Sequence, residues 1–332
     1  MRSLIFFILI SVSSSFASER DPQTLINQLL DHYGKKFGGS YVEALAVVVR
    51  ARELGADAAK PVVAGQLSSP ADLKSGSQVA GRLIFAELSA ENPKAKQLTL
   101  EAANLGFAKD GKPLEAMPFH NEMSDAVFMS CPILAEAGAL TGESRYFDQC
   151  VKHLQFIQGK CLRKDGIYRH SPLDESAWGR GNGFPAIGLA MVLEEMPEDY
   201  PRRDFVVSSF RDHLTALKKF QDSDGMWHQV IDHPQSYPEF TCTCMISYAA
   251  LVGIRLGILE KNQWDDVLKK SWKAIDARIS PDGREVRGAC TGTGKQKSLE
   301  AYLTRKEING YDDRSGSMAL LFASEMKRYL AP

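Results

Sequence analysis

Asp125 stands at the head of an apolar run, Ala126 to Leu134, with Met123, Phe128 and Met129 around it. A carboxyl in apolar surroundings releases its proton reluctantly, which suits a general acid. A helix N-terminus pulls the other way, because its dipole favours the anion. Other residues with chemical potential also gather where apolar helices begin. Tyr41 follows Gly38 and Gly39. His120 lies in Pro118–Asp125. Tyr168 and His170 precede the stretch Trp178-Gly-Arg-Gly-Asn-Gly-Phe184, and Trp227-His228-Gln229 precedes Tyr237 and Glu239. Arg180 offers a planar fork that matches a carboxylate. Trp178 and Phe184 offer flat faces of the kind sugar rings stack on. The three glycines read as a tight turn feeding a helix, where φ > 0 and close approach of a ligand are both open. Each residue also has a plain structural reading: Arg180 in an ion pair, His170 and His228 as satisfied hydrogen-bonding side chains, Trp227 and Tyr237 as core.

The elements that must position these groups are helical. Apolar periodicity predicts helices over about Pro22–Lys36, Tyr41–Gly55, Ser77–Ala90, Pro93–Leu105, Ser124–Ala139, Ser144–Gln158, Gly183–Met196, Arg202–Phe220, Thr241–Leu259, Asn262–Ala277 and Arg314–Leu330. Strand-like alternation is scarce. The helices form hairpins in which an apolar member, such as Ala126–Leu134, is followed by an amphipathic one, such as Tyr146–Leu154. Members apolar all round belong inside and amphipathic ones outside. Asp-Gly pairs at 110–111, 165–166, 224–225 and 282–283 recur at one phase of this repeat, which puts them at one end of the assembly. Such alternation closes into a double ring, an (α/α) toroid, or extends as an open superhelix.

The 332 residues carry a net charge of −1, which gives no footprint for nucleic acid. Arg2, the apolar run Leu4–Ile10 and the small residues around Ala17 read as a secretion signal over 1–17, leaving 18–332 as one exported domain, periplasmic or secreted, with no membrane association after cleavage. Export permits disulfides. The six cysteines are irregularly spaced, with no zinc-ligand pattern. Cys150 and Cys161 are placed to bridge a helix end to its loop, while Cys131 and Cys150 read as buried thiols.

Trp178–Phe184 resembles the Trp-x-Arg-Gly-Asn-Gly-Trp signature of glycoside hydrolase family 105, the unsaturated rhamnogalacturonyl hydrolases. Asp125–Leu134 with Thr141-Gly-Glu143 and Tyr146, Asp224–Asp232 with Ser236-Tyr-Pro-Glu239, and Gly292-Thr-Gly294 with Asp312-Asp313 follow in the family's order. The resemblance implies an (α/α)6 barrel of six helical hairpins. It implies removal of a 4,5-unsaturated uronic acid from the non-reducing end of lyase-generated oligosaccharides, of pectin or rhamnogalacturonan type, by hydration of the C4–C5 double bond. The Asp matching Asp125 protonates C4 and helps deliver water to C5. No metal or organic cofactor is implied. Tyr41, Asp72, His120, His170, Trp178, Arg180, Asn182, Phe184, Trp227 and His228 are the expected substrate-binding residues, Arg180 for the uronate carboxylate. Phe184 replaces the signature's second Trp. Asp72 stands for an earlier sugar-binding Asp and His120 for a basic residue before Asp125. The related family 88 unsaturated glucuronyl hydrolases and a non-catalytic sugar-binding barrel are the alternatives.

Overall fold

The computed structural model describes residues 19–331; the expected secretion signal lies outside them. Fourteen helices and two short strands make up the described chain. Six inner positions are filled by α2 (Tyr41–Leu54), the pair α4 (Gly76–Gly81) and α5 (Leu83–Glu87), α7 (Ala126–Thr141), α9 (Gly179–Glu195), α11 (Phe240–Arg255) and α14 (Asp313–Leu330). Successive inner helices pack on one another, and α14 returns to pack on α2. The ring is therefore closed, and the open superhelix is excluded. The outer layer is α1 (Pro22–Leu30), α3 (Ala56–Ser68), α6 (Pro93–Asn104), α8 (Ser144–Cys161), α10 (Arg203–Lys218) and α12 (Lys261–Asp276). This is the (α/α)6 barrel.

Sequence character sorts the two layers. Helix α11 is buried from Phe240 to Gly253 without interruption, as a ring member flanked on every side must be. Helix α12 buries only Trp264, Leu268, Ser271, Trp272, Ala274 and Ile275, a single stripe facing inward. The Asp-Gly pairs each follow an outer helix, and all four glycines have positive φ, from 80° to 94°. They lie on the side where the next inner helix begins, as the repeat predicts.

Four local expectations are corrected. Helix α3 is absent from the sequence reading, because Pro61 and the small polar residues around it hide its period. The helix expected over Ser77–Ala90 breaks at Arg82. Just before the break, a Cβ on Gly81 would lie 2.2 Å from the Gly39 carbonyl oxygen, so the chain there is pressed against the loop that precedes α2. A two-stranded antiparallel ribbon, β1 (Val286–Cys290) with β2 (Glu307–Gly310), carries the excursion 291–306 that includes α13 (Leu299–Leu303). Finally, all six cysteines are free and buried, so Cys150 and Cys161 form no bridge. Burial raises the Cys161 thiol to about 12, which keeps it inert.

Candidate active site

The inner helices all run the same way, and their N-terminal ends share one rim. Asp125 occupies the N-cap position of α7 but makes no capping hydrogen bond, so its carboxylate is not spent on the helix end. Three non-glycine residues just before it, Phe119, Asn121 and Glu122, have φ of 63°, 50° and 51°. Such left-handed backbone costs of order 1 kcal/mol per residue and marks a stretch held by its surroundings. What holds it is a cross-loop tie: the Ser124 amide donates to the His170 carbonyl at 3.0 Å. That bond brings His170 beside Asp125, with Nε2 3.2 Å from Oδ1.

Neither of these two atoms completes a hydrogen bond. Asp125 Oδ1, His170 Nε2, Ser124 Oγ and Trp178 Nε1 are all buried and without a hydrogen-bond partner. Buried orphan groups are costly, and so many at one place point to something that binds there. The other face of His170 is fixed. Its Nδ1 lies 2.8 Å from the Tyr302 hydroxyl, which also accepts from the Gln296 amide. With the Tyr302 hydroxyl donating to Nδ1, the ring's own N–H is the Nε2–H, facing Asp125. Burial raises the Tyr302 phenol to about 12, so it stays a donor. Tyr302 arrives on the 291–306 excursion, whose attachment is reinforced by Gln229 Nε2 donating to the Tyr302 carbonyl at 2.8 Å.

The glycine signature is helical, not a turn. Helix α9 begins at Gly179, and Gly179, Gly181 and Gly183 all have ordinary negative φ. They permit close packing instead. A Cβ on Gly179 would lie 2.6 Å from the His228 carbonyl, and one on Gly183 would lie 2.8 Å from Met245 Sδ. Arg180 is 1% exposed. Its Nη1 donates to Thr241 Oγ1 and to the Cys290 carbonyl, its Nη2 donates to the Thr291 carbonyl, and Glu239 lies 4.0 Å away. It also stacks on Trp178 at 4.6 Å. Glu239 caps α11 through the Thr241 and Cys242 amides and accepts from the Cys290 amide. The Arg180–Glu239 pair thus fastens the β1 ribbon to the rim.

The remaining expected residues divide cleanly. Tyr41 begins α2 and meets Phe128 and Phe184 edge-on at 5.6 and 5.5 Å, while Phe128 and Phe184 stack at 5.5 Å. Tyr41 of this aromatic cluster lies within electrostatic range of Asp125. Burial raises the Tyr41 phenol, and Arg314 and Arg180 pull it back. His120 is half-buried against Phe156 at 4.8 Å and accepts from the Glu122 amide; burial lowers its pKa. Asn182 spends its side chain on the Tyr168 amide and on the Tyr168 and Trp178 carbonyls. Trp227 is fully buried and donates to the Leu217 carbonyl. His228 has both ring nitrogens occupied, by the Ser236 carbonyl and Asp222. Asp72 is exposed and pairs with Lys74 at 3.6 Å, with no contact to the Asp125 cluster. Tyr302, Arg314 and Ser124 belong to the site but carried no local signal; Glu239 stood in a quoted motif. Among the described residues no cluster of His, Cys, Asp and Glu is arranged to hold a metal ion.

Comparison with known proteins gives consistent matches. Residues 89–330 fit the family model described as Glycosyl Hydrolase Family 88. An unsaturated 3S-rhamnoglycuronyl hydrolase of Formosa agariphila is 28% identical over 48% of this chain and 47% of its own. The unsaturated rhamnogalacturonyl hydrolase YesR of Bacillus subtilis is 31% identical over 61% of this chain and 59% of its own. The chain thus matches about half the length of these curated relatives. A solved structure from Klebsiella pneumoniae, described as a possible member of the GH105 family, superposes with a TM-score of 0.82 at 18% identity over 99% of this chain and all of that one, which shows the shared fold.

Proposed function

From a chain that belongs to glycosyl hydrolase family 88, we infer an enzyme that removes a 4,5-unsaturated uronic acid from the non-reducing end of lyase-generated oligosaccharides. The observation that carries this reading is the buried, unsatisfied Asp125 Oδ1 facing His170 Nε2. A protonated Asp125 gives its proton to C4 of the double bond. Water adds at C5 and returns a proton to Asp125. The C5 hemiketal opens to a ketone, and the resulting hemiacetal at C1 expels the remaining sugar as an alcohol. One carboxyl that gives and regains a proton suffices, so no second carboxylate at fixed spacing is needed. His170, its tautomer set by Tyr302, stands beside the carboxylate and offers its Nε2–H to the incoming water or a hydroxyl.

The relatives' names pair a uronyl group with rhamnose in both cases, which favours rhamnose as the sugar released. Incubation with unsaturated disaccharides ending in rhamnose tests the reading: the absorbance of the double bond disappears with the wild type and persists with Asp125→Asn. In heavy-oxygen water the label enters at C5 of the released uronate. Label at C1 of the released uronate, with none at C5, would mean direct displacement and overturn it. The protein acts after export, with a mature chain starting near Ser18; N-terminal sequencing from the producing cell reads that start directly.

A further inference from the structure

Resting on this reading, we propose that Arg314, rather than Arg180, supplies the positive charge that binds the substrate carboxylate. Two guanidinium groups touch the Cys290 carbonyl: Arg180 Nη1 at 2.7 Å and Arg314 Nη1 at 3.5 Å. Their situations differ. Arg180 is buried, donates three hydrogen bonds to protein, and faces the buried Glu239 carboxylate. Its charge is already compensated. Arg314 is only partly buried, and among the described residues no carboxylate lies within ion-pair distance of it. Its acidic neighbours in sequence are committed elsewhere. Asp312 caps α14 through the Ser315 amide, and Asp313 pairs with Lys36 at 2.7 Å.

Arg314 also points at the right place. Its guanidinium lies beside the Tyr41 hydroxyl, and Tyr41 in turn lies within electrostatic range of Asp125. Nη2 stands 3.9 Å from the position a Cβ on Gly292 would take, so the loop after β1 leaves room around the fork. A uronate whose C4–C5 bond lies over Asp125 carries its carboxylate on C5, one bond from the reacting centre. The fork next to Tyr41 is the one there whose charge no carboxylate of the described residues already compensates. Planar guanidinium–carboxylate pairing would then orient the double bond as well as bind it.

The test compares two substrates: the unsaturated uronyl-rhamnose disaccharide and its uronate methyl ester, which is neutral but otherwise alike. The wild type should prefer the acid. Arg314→Gln should raise KM for the acid about 10- to 100-fold, the range for losing a charge-assisted hydrogen bond, and leave the ester within about twofold. Arg314→Lys, which keeps the charge, should retain part of the preference and guards against a folding defect in the Gln variant. An acid-over-ester preference that survives Arg314→Gln overturns the proposal and returns the role to Arg180. Absence of turnover of either substrate by the wild type would overturn the proposed activity itself, a separate outcome.

Discussion

The two ends of the barrel are built on opposite principles. At the end where the inner helices begin, four of the six connections are long: 105–125, 162–178, 219–239 and 277–312. At the end where they finish, they are short, with Gly55 alone joining α2 to α3 and 142–143 joining α7 to α8. The short-loop end places a charged residue on every ring member: Arg52, Glu87, Glu136, Glu194, Arg255 and Glu325. Most are paired there, Arg52 with Glu87 and Arg255 with both Glu194 and Glu325 at 2.5 Å. The long-loop end instead collects buried polar atoms that have no partner. One end pairs most of its charges; the other leaves several buried polar atoms open. That difference separates residues that stabilise the ring from residues left open at the proposed site.

The comparison breaks or sharpens on four measurements. The largest effect is expected for Asp125→Asn, which should cut turnover by at least ~10²–10⁴-fold, the usual contribution of a general acid, without lowering the melting temperature. A variant that instead unfolds would make Asp125 a structural residue. Next is Glu239→Ala. It leaves the buried Arg180 uncompensated and frees the Cys290 amide, so denaturant unfolding should show a loss of about 3–5 kcal/mol. A loss below ~1 kcal/mol would show that this part of the long-loop end does not hold the ring together.

The third measurement is a pH series on stability. His153 is fully buried, accepts from the Met117 amide on Nδ1 and donates to the Ala126 carbonyl from Nε2, and burial lowers it to about 4. Its depressed pKa means that the unfolded chain binds the extra proton between about pH 4 and 6.5. Stability is therefore complete above 6.5 and falls by up to about 3 kcal/mol on approach to pH 4. His153→Gln should flatten that slope in thermal unfolding. The smallest effect belongs to Glu136, which has no ion-pair partner among the described residues. Burial, then Glu195 and Glu87, raise its pKa well above the carboxylate range. Its folded state gains the proton, so its cost appears as pH rises. Glu136→Gln should raise the melting temperature slightly at pH 8 and leave it unchanged near pH 4; equal melting at both would mean the like charges there do not interact.

The sequence conveyed the ring more fully than the site. Runs such as Phe240–Gly253, apolar on every face, have only one home in a two-layer helical fold. Helix α3 escaped because Pro61 interrupts a small-residue pattern that buries only Ala59 and Val63. Asp125 and His170 stood out because each sits beside an apolar helix start. Trp227, Asn182 and His228 looked equally available, but each is held by backbone 8 to 14 residues earlier or later in the chain, which no sequence pattern displays. Tyr302 and Arg314 reach the rim from the ribbon and the last helix, and only the closed ring brings them there.

That closure also dictates an order of events during synthesis. The seam joins α14 to α1 and α2, with Ser317 Oγ donating to the Val42 carbonyl, Ser324 bonding to Glu53, and Lys327 pairing with Glu53 at 2.6 Å. A ribosome that has released everything through α12 has made five ring members out of six. The apolar flanks of α2 and α11 then face water across an open gap. Contacts spanning some 270 residues form last, and the entropy of bringing such distant segments together must be met in one step. The nascent barrel is thus a split cylinder until its final turn of helix appears, and it is in that interval that its exposed flanks are most open to chaperones or to a second chain's α14.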